Sequence, residues 1–317
     1  MRNFLPFLIS LLLVAVAEAA PPTVPSSSLL YSAIEGNRFN LRFTSGNGSN
    51  RIVVMRLNQP VTGFPENGVE YTASLNFGAA NTQFGSEEQY VVYRGAGSSF
   101  TITNLLPSSN YHIAIFEYNG TGVNTEYLLT PATGQNSTAF PPATPATNLN
   151  FSNIAGSSVR ITYTSGSGAG RIVVGKKGSP VDVIPPNLSL HSANSEFGAG
   201  TDLGGGNFAL VNTAGTSVNI STLEPNTTYH FAVFERTGSS YPVYTSTAAR
   251  GSMTTTSGPT TPTSSLSFSS IEGDRITISV SRGNGSRRLI IGKQGSAVTS
   301  VPVNGQVYTA NGDWGMG

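Results

Sequence analysis

Two stretches of the chain, SFTITNLLPSSNYHIAIFEYNG at residues 99–120 and SVNISTLEPNTTYHFAVFERTG at residues 217–238, are copies of one pattern. Each has a short apolar run, a Leu-x-Pro element and then a tyrosine followed by alternating apolar residues. Apolar residues that recur with a period of two are typical of β-strands with one buried face. Each stretch therefore predicts a strand, a corner at the proline and a second strand that begins at Tyr111 or Tyr229.

The same unit extends upstream of both stretches and occurs a third time. RIVV at residues 51–54 returns as RIVV at 171–174 and as RLII at 288–291, and an alternating segment precedes each copy. FPENGVEYTASLNFG at 64–78 is matched by IPPNLSLHSANSEFG at 184–198 and by VPVNGQVYTANGDWG at 301–315. Self-similarity of this kind indicates tandem structural repeats. The third copy ends before the tyrosine corner, and we predict an all-β chain.

The corner residues carry a resemblance to a known family. Leu105, Pro107 and Tyr111, with their counterparts Leu223, Pro225 and Tyr229, resemble the corner between strands E and F of fibronectin type III domains. The resemblance implies tandem β-sandwiches in which the corner tyrosine ring is buried and its hydroxyl bonds nearby backbone. It further implies the strand order A, B, C, E, F, G, with residues 57–96 and 177–214 as an insertion between strands C and E. Such units resemble repeats of secreted and surface proteins of bacteria.

The predicted organisation has four parts. Residues 1–20 are predicted to be a signal peptide, because one arginine precedes an apolar stretch and an Ala-x-Ala cleavage site at residues 17–19. The alternative is an anchor helix, but the apolar stretch is shorter than the roughly 20 residues that span a bilayer. Repeat 1 covers 21–140 and repeat 2 covers 141–256. A truncated repeat 3, with strands A to C and part of the insertion, covers 257–317. Proline-rich segments before each repeat predict short, stiff linkers.

Composition excludes several classes of partner and site. Only 10% of the residues are charged and the net charge is +1, so no field would gather nucleic acid or an anionic membrane. The chain has no cysteine, which excludes disulfides, thiolate zinc sites and thiol nucleophiles. We expect a secreted or cell-surface protein that takes no cofactor or metal and is not inserted in a membrane after signal cleavage. The sequence indicates no oligomeric state.

No catalytic set is predicted within residues 1–317. His112 and His230 follow the corner tyrosines, so alternation places them on the outer face of strand F. Glu117 and Glu235 recur without the second carboxylate that glycoside hydrolysis requires, and we interpret them as structural hydrogen-bond acceptors. GRIVVGKK at 170–177 is a strand and not a phosphate loop. The glycine-rich segment around Asp202 predicts a turn, since one carboxylate is a poor calcium site.

Two recurrent features remain as candidate binding surfaces. The first is an aromatic set in the insertion, whose rings could stack on a sugar or could pack the insertion onto the sandwich. It comprises Tyr71, Phe77, His191, Phe197, Tyr308 and Trp314. The second is a pair of basic residues five positions apart on strand C, which we expect to be solvated at the two strand ends. These pairs are Arg51 with Arg56, Arg171 with Lys176, and Arg288 with Lys293.

Three functions follow as hypotheses. The first is a non-catalytic, exported spacer or adhesion protein whose partner is a cell-surface glycan or protein. The second is a set of accessory repeats of a secreted hydrolase with its catalytic domain after residue 317. The third is a carbohydrate-binding module that uses the insertion aromatics. Because half a sandwich would expose its inner face, we also predict that the chain is a fragment of a longer protein.

Overall fold

The computed structural model describes residues 19–304 and 306–317, and it confirms the all-β prediction. The predicted signal peptide lies outside the described residues except for its last two positions. The chain divides into two units with the boundary between Ala139 and Phe140. The helical structure of the described residues is one short 3-10 helix, Gly122–Asn124. Within the described residues, a helix with the length and apolar composition of a membrane span is not found.

The first unit is a sandwich of two antiparallel sheets. Its strands are β1 (Ser27–Ser32), β2 (Phe39–Thr44), β3 (Asn50–Leu57), β4 (Gln89–Gly95), β5 (Ser99–Ile102), β6 (Asn110–Asn119), β7 (Glu126–Tyr127) and β8 (Ala132–Ser137). One sheet has the order β1-β2-β5, and the other has the order β4-β3-β6 with β7 and β8 both paired to β6. In letters, these are the A-B-E sheet and the sheet built around strands C and F.

The part of the second unit up to residue 256 repeats this topology strand for strand. It contains β9 (Thr147–Ser152), β10 (Val159–Thr164), β11 (Gly170–Lys177), β12 (Asn207–Thr213), β13 (Ser217–Ile220), β14 (Thr228–Thr237), β15 (Val243–Tyr244) and β16 (Ala249–Thr254). Its sheets have the orders β9-β10-β13 and β12-β11-β14, with β15 and β16 on β14. The tandem sandwich prediction is therefore confirmed, while the role of the proline-rich segments as linkers stays a prediction.

Each unit has two apolar clusters, one on each side of the sheet that contains strands C and F. Between the sheets, Phe39 and Leu41 pack with the inner residues Val53 and Met55 of β3. On the other face, the intervening residues of β3 pack beneath the insertion, together with Phe84. Strand C is thus buried on both faces, which explains why RIVV is a continuous apolar run and does not alternate.

The insertion is shorter than predicted. The last residues assigned to it form β4 in the first unit and β12 in the second, each paired antiparallel with strand C. Alternation is weak there because a bulge interrupts the register, between Val53 and Val54 in one unit and between Val173 and Val174 in the other. The part without regular strands covers the outer face and then crosses the sandwich edge between β4 and β5, where Asn76 bridges Thr103.

The third copy differs from the prediction of strands A to C. It contains β17 (Ser264–Ser269) and β18 (Thr277–Ser281), which pair with each other, but residues 288–293 form no strand. In the first two copies strand C bonds to β4 and β6, or to β12 and β14, and the third copy offers no counterpart of those partners among the described residues. Its apolar side chains, such as Ile276, Ile290 and Val301, are consequently exposed.

Candidate functional site

The corner residues occupy equivalent positions in both units. The hydroxyl of Tyr111 accepts a hydrogen bond from the backbone N–H of Leu106 at 2.8 Å, and that of Tyr229 accepts one from Glu224 at 3.0 Å. Both rings are fully buried. Burial raises the pKa of Tyr111, and the bond from Leu106 opposes that rise. The hydroxyl satisfies a backbone donor at the turn and fixes where strand F begins.

A buried ion pair joins strands C and F in each unit. Arg51 lies directly opposite Glu117, and Arg171 lies opposite Glu235. The Nη2 of Arg51 is 3.2 Å from Oε2 of Glu117, and the Nε of Arg171 is 3.0 Å from Oε1 of Glu235. The four side chains are at most 4% exposed. Arg51 and Arg171 lie near the start of strand C, and Arg56 and Lys176 near its end, as predicted. The prediction that these two arginines are solvated is wrong, because both are buried.

Further hydrogen bonds extend each ion pair to two loops. The carboxylate accepts the N–H of Gly46 at 2.9 Å in the first unit and the N–H of Gly166 at 2.8 Å in the second. The guanidinium donates to the carbonyls of Ala96 and Ala214, in the loops before strand E. Glu117 and Glu235 are hydrogen-bond acceptors, as interpreted from the sequence, and their charge is also neutralised inside the sandwich. The ion pair and its hydrogen bonds therefore connect the start of strand C to loops that lead to both sheets.

The insertion carries a second tyrosine hydrogen bond with the same spacing of five residues. Tyr71 accepts the N–H of Glu66 at 3.0 Å, and Tyr308 accepts the N–H of Val303 at 2.9 Å. In repeat 2 the tyrosine position is His191, and the donor position is Pro186, which has no N–H. Burial lowers the pKa of His191, while hydrogen bonding to the Pro186 backbone acts in the opposite direction.

The structure does not bring the six insertion aromatics together in one site. Phe77 packs edge to face on Tyr111 with ring centroids 5.0 Å apart, and Phe197 packs on Tyr229 at 4.8 Å. Tyr71 and His191 lie against the outer-face rings of the two units, Tyr127 and Tyr244. In the third copy Tyr308 and Trp314 are exposed, the latter at 68%. A ligand-binding role for this set stays a prediction.

The remaining candidates have local roles. His112 and His230 are half-buried on strand F, and His112 lies 3.3 Å from the amide of Asn110. Asp202 accepts the N–H of Gly204 at 2.9 Å within a turn. GRIVVGKK is strand β11. Within the described ranges, no group of three or more His, Asp or Glu side chains is arranged to hold a metal ion.

Sequence reasoning missed a cavity in the second unit. It is open to solvent, measures about 520 Å³ and lies beside the edge strand β12, beneath residues 190–195 of the insertion. Its walls combine the aliphatic Leu210, Val211 and Val218 with the polar Asn212 and Arg236. The signal was present in the repeats: both valines stand where the first copy has aromatic residues. That signal becomes interpretable only once β12 and β13 are known to be neighbouring edges.

Among known proteins, the chain is similar to solved structures, three of which are described below. No protein-family model matches the chain, and no curated protein matches it. A two-domain fibronectin type III segment of chicken tenascin is 14% identical over 73% of this chain and 99% of its own, with a TM-score of 0.27. The FN1 to FN3 domains of chicken CNTN1 are 16% identical over 75% of this chain and 69% of theirs, with a TM-score of 0.29. Domains A168 to A170 of titin are 14% identical over 74% of this chain and 67% of their own, with a TM-score of 0.30.

The pairing of strands and the corner tyrosines are the observations that define the fold. By these criteria the two units are tandem fibronectin type III-like β-sandwiches.

Proposed function

We propose that the chain is an exported, non-catalytic spacer or adhesion protein whose repeats hold a partner-binding part at or beyond the cell surface. One observation carries this proposal. The polar residues that recur between the copies, the Arg–Glu pair and the corner tyrosine, are used inside each sandwich to join strands and loops. What the two units share is therefore a means of keeping the sandwich closed, which suits domains that act as structural modules.

The proposed location is supported by the sequence. The Ala-x-Ala motif after the apolar stretch is the signature of a cleaved secretory signal, and a chain without cysteine needs no oxidative folding after export. N-terminal sequencing of the protein recovered outside the cell should give a start at Ala20 or Pro21. Recovery of the chain only inside the cell, with residue 1 intact, would refute the export part of the proposal.

A domain exchange tests the spacer role. In the source cell, repeat 1 is replaced by a second copy of residues 141–256, and a separate strain lacks repeat 1. A spacer needs only length and stability, so we expect the exchange strain to attach to surfaces as the parent does and the deletion strain to attach less. Loss of attachment in the exchange strain would contradict a spacer role for repeat 1 and would indicate a specific ligand site there.

The third copy keeps the arginine of strand C but lacks, among the described residues, the strands that surround it in the first two copies. Arg288 stands where the first two copies have the buried arginine, and its Nη2 lies 3.5 Å from the carbonyl of Gly285, as Arg171 contacts Gly168 at 3.3 Å. None of the ion pairs in the part of the chain described here includes Arg288. Reading the gene beyond codon 317 would show whether a hydrolase domain, the alternative hypothesis from the sequence, follows the repeats.

Carbohydrate binding by the aromatics is the second candidate, and the exposure of Trp314 favours it. An exposed indole beside Gly292 offers a flat apolar face of the kind that stacks on sugar rings. Retention of the full chain on immobilised polysaccharides should fall on Trp314→Ala. Retention unchanged in this variant would remove Trp314 from consideration.

A further inference from the structure

The cavity of the second unit has the size of a small-molecule site. At about 520 Å³ it falls within the range of roughly 300–1,000 Å³ that ligand pockets occupy. Its lining divides into the apolar Leu190, Ala193, Leu210, Val211 and Val218 and the polar His191, Ser195, Asn212 and Arg236. Such a division between apolar walls and a few polar groups is typical of pockets that orient a ligand.

The first unit shows what fits in this place. The register aligns Val211 with Tyr93, since they pair with Val173 and Val53, the same position of strand C. It likewise aligns Val218 with Phe100, through the equivalent strand B residues Ile161 and Leu41. In the first unit these two rings stack with centroids 4.2 Å apart and an interplanar angle of 13°. The second unit has two valines there, so the volume of the stacked rings is absent.

The charges around the cavity also differ between the units. In the first unit Arg94 of β4 forms an ion pair with Glu70 and hydrogen-bonds the hydroxyl of Tyr118. In the second unit the three equivalent positions hold Asn212, Leu190 and Arg236. The arginine is thus on the other strand, and the carboxylate is replaced by leucine.

Arg236 is held toward the cavity by neutral partners. Its Nε donates to Oδ1 of Asn212 at 2.8 Å, and its Nη1 donates to the carbonyl of Gly238. None of the ion pairs among the described residues includes this guanidinium. A half-buried cation beside the apolar walls of a mixed cavity favours a ligand that brings an anionic group to it.

We propose that this cavity binds a small aromatic carboxylate. The ring occupies the space between Val211 and Val218 that the stacked side chains fill in the first unit. The carboxylate accepts hydrogen bonds from the guanidinium of Arg236 and takes the place of the missing acidic residue. Repeat 2 is then a ligand-binding sandwich, and repeat 1 is the same sandwich with its site closed by its own side chains.

The test uses the full chain after signal removal and 4-hydroxyphenylacetate as the probe. Titration calorimetry should give saturable binding with a Kd of about 1 mM or tighter. The methyl resonances of Val211 and Val218 should shift in the NMR spectrum of the labelled protein. 4-Methylphenol, which has the ring without the carboxylate, should bind at least about tenfold more weakly, the loss expected for a charged hydrogen bond.

Two variants separate the cavity from the fold. The double variant Val211→Tyr with Val218→Phe rebuilds the stacked pair of the first unit, so it should abolish binding and keep the thermal transition of repeat 2. If the double variant does not fold, Val218→Phe alone supplies the same test. Arg236→Gln should weaken 4-hydroxyphenylacetate about tenfold and leave 4-methylphenol unchanged, whereas the exposed Arg160→Gln should change neither. Binding that survives the filled cavity, or no binding by the parent chain at 10 mM, on the order of ten times the expected Kd, would overturn the proposal.

Discussion

The arginine and glutamate that recur in both units show how a chain with few charges uses them. Removing two charges from water costs several kcal/mol per ion, and the pair recovers this only when its remaining hydrogen-bonding groups are satisfied. Here the carboxylate of Glu235 also binds the N–H of Gly166, and the guanidinium of Arg171 also binds three backbone carbonyls. The pair therefore joins strands C and F to two loops that neither strand contacts through its ladder.

Removal of one partner should destabilise repeat 2 strongly. Glu235→Ala leaves Arg171 buried without a counter-charge, so we expect a loss of about 3–5 kcal/mol in the free energy of unfolding. Chemical denaturation of the full chain measures this loss as an earlier transition for repeat 2. Glu224→Ala is the matched control, because Glu224 pairs with Lys177 at the exposed surface and its removal should leave the transition in place.

A further variant distinguishes charge from packing at this position. Arg171→Met with Glu235→Leu replaces the pair by apolar side chains of similar volume, and such replacements are often neutral or stabilising. We expect the double variant to recover most of the stability lost in Glu235→Ala. A double variant as unstable as the single one would mean that the hydrogen bonds to the loops, and not the buried charge, dominate.

Buried phenols make the sandwiches sensitive to alkali. Burial raises the pKa of Tyr31 to about 12 and raises the pKa of Tyr127 and Tyr163 above the ordinary value. Above pH 10 the unfolded chain loses phenol protons that the folded chain keeps, so unfolding is favoured increasingly as pH rises. The contribution of these protonated phenols to the stability of the folded state is complete below a pH of about 10, and it is lost from there toward pH 12.

Absorbance of tyrosinate near 295 nm checks this sign. At a pH of about 11 the native protein should show a smaller tyrosinate signal than the protein in denaturant, and the denaturation midpoint should fall between pH 9 and 11, on either side of the ordinary pKa of about 10. Equal tyrosinate signals in the two states would contradict raised pKa values in the folded protein.

At the scale of elements, the insertion determines whether the buried face of a strand could be predicted from its sequence pattern. Strand B alternates as predicted, with Phe39, Leu41 and Phe43 buried and the residues between them more exposed. Strand C does not alternate, because the insertion covers its outer face. Its arginine therefore could not be placed from sequence: the partner is 66 residues away, and two-sided burial removes the alternation that would show which way Arg51 points.

The phenylalanine of the insertion should contribute to the stability of the sandwich. Phe197 packs on Tyr229 and Phe208 at the edge of the inner core, so Phe197→Ala should lower the stability of repeat 2 by about 3 kcal/mol. The midpoint of denaturation measures this loss. Phe64→Ala is the control, since this insertion phenylalanine is 61% exposed and should cost much less. An unchanged midpoint in Phe197→Ala would show that the insertion packs independently of the sandwich.

Repeat 2 lacks the hydrogen bond that the insertion of repeat 1 forms between Glu66 and Tyr71, and two substitutions together should restore it. Pro186 cannot donate the backbone hydrogen bond that Glu66 gives to Tyr71, so His191→Tyr alone would leave its hydroxyl without that donor. Pro186→Glu restores the N–H. We expect the double variant to be more stable than the sum of the single changes by about 1 kcal/mol, the value of one hydrogen bond. Additive effects would mean that the bond does not form in repeat 2.

At the scale of the whole molecule, the repeats made the fold predictable and left the cavity unseen. Three copies of the strand pattern and two copies of the corner made these features predictable, since a feature that recurs is separated from chance. The cavity depends on what does not recur: Val211 and Val218 differ from their counterparts in the first copy. They are seven residues apart in sequence and on different sheets, so only the topology shows that they line the same space.

The third copy should behave as an unsatisfied half-sandwich in solution. Its apolar side chains are exposed, among them Ile276 and Leu289, whose counterparts in the first unit are fully buried. Exposed apolar faces and unpaired strand edges bind hydrophobic probes and promote association. The chain from residue 20 to 317 should therefore bind anilinonaphthalene sulfonate more strongly than a chain ended at residue 256, and both should show the same unfolding transitions for repeats 1 and 2.

A chimera tests whether the missing strands are the cause. Residues 199–256 of repeat 2, which contain β12 to β16 and Glu235, are appended after Gly317. The appended strands supply neighbours for residues 288–293 and a carboxylate for Arg288, by the same register that pairs Arg171 with Glu235. We expect a third cooperative transition and loss of the dye signal. In the Glu235→Ala version of the appended segment the third transition should weaken, because Arg288 would then be buried without its partner. A third transition already present in the parent chain would show that repeat 3 folds without those strands.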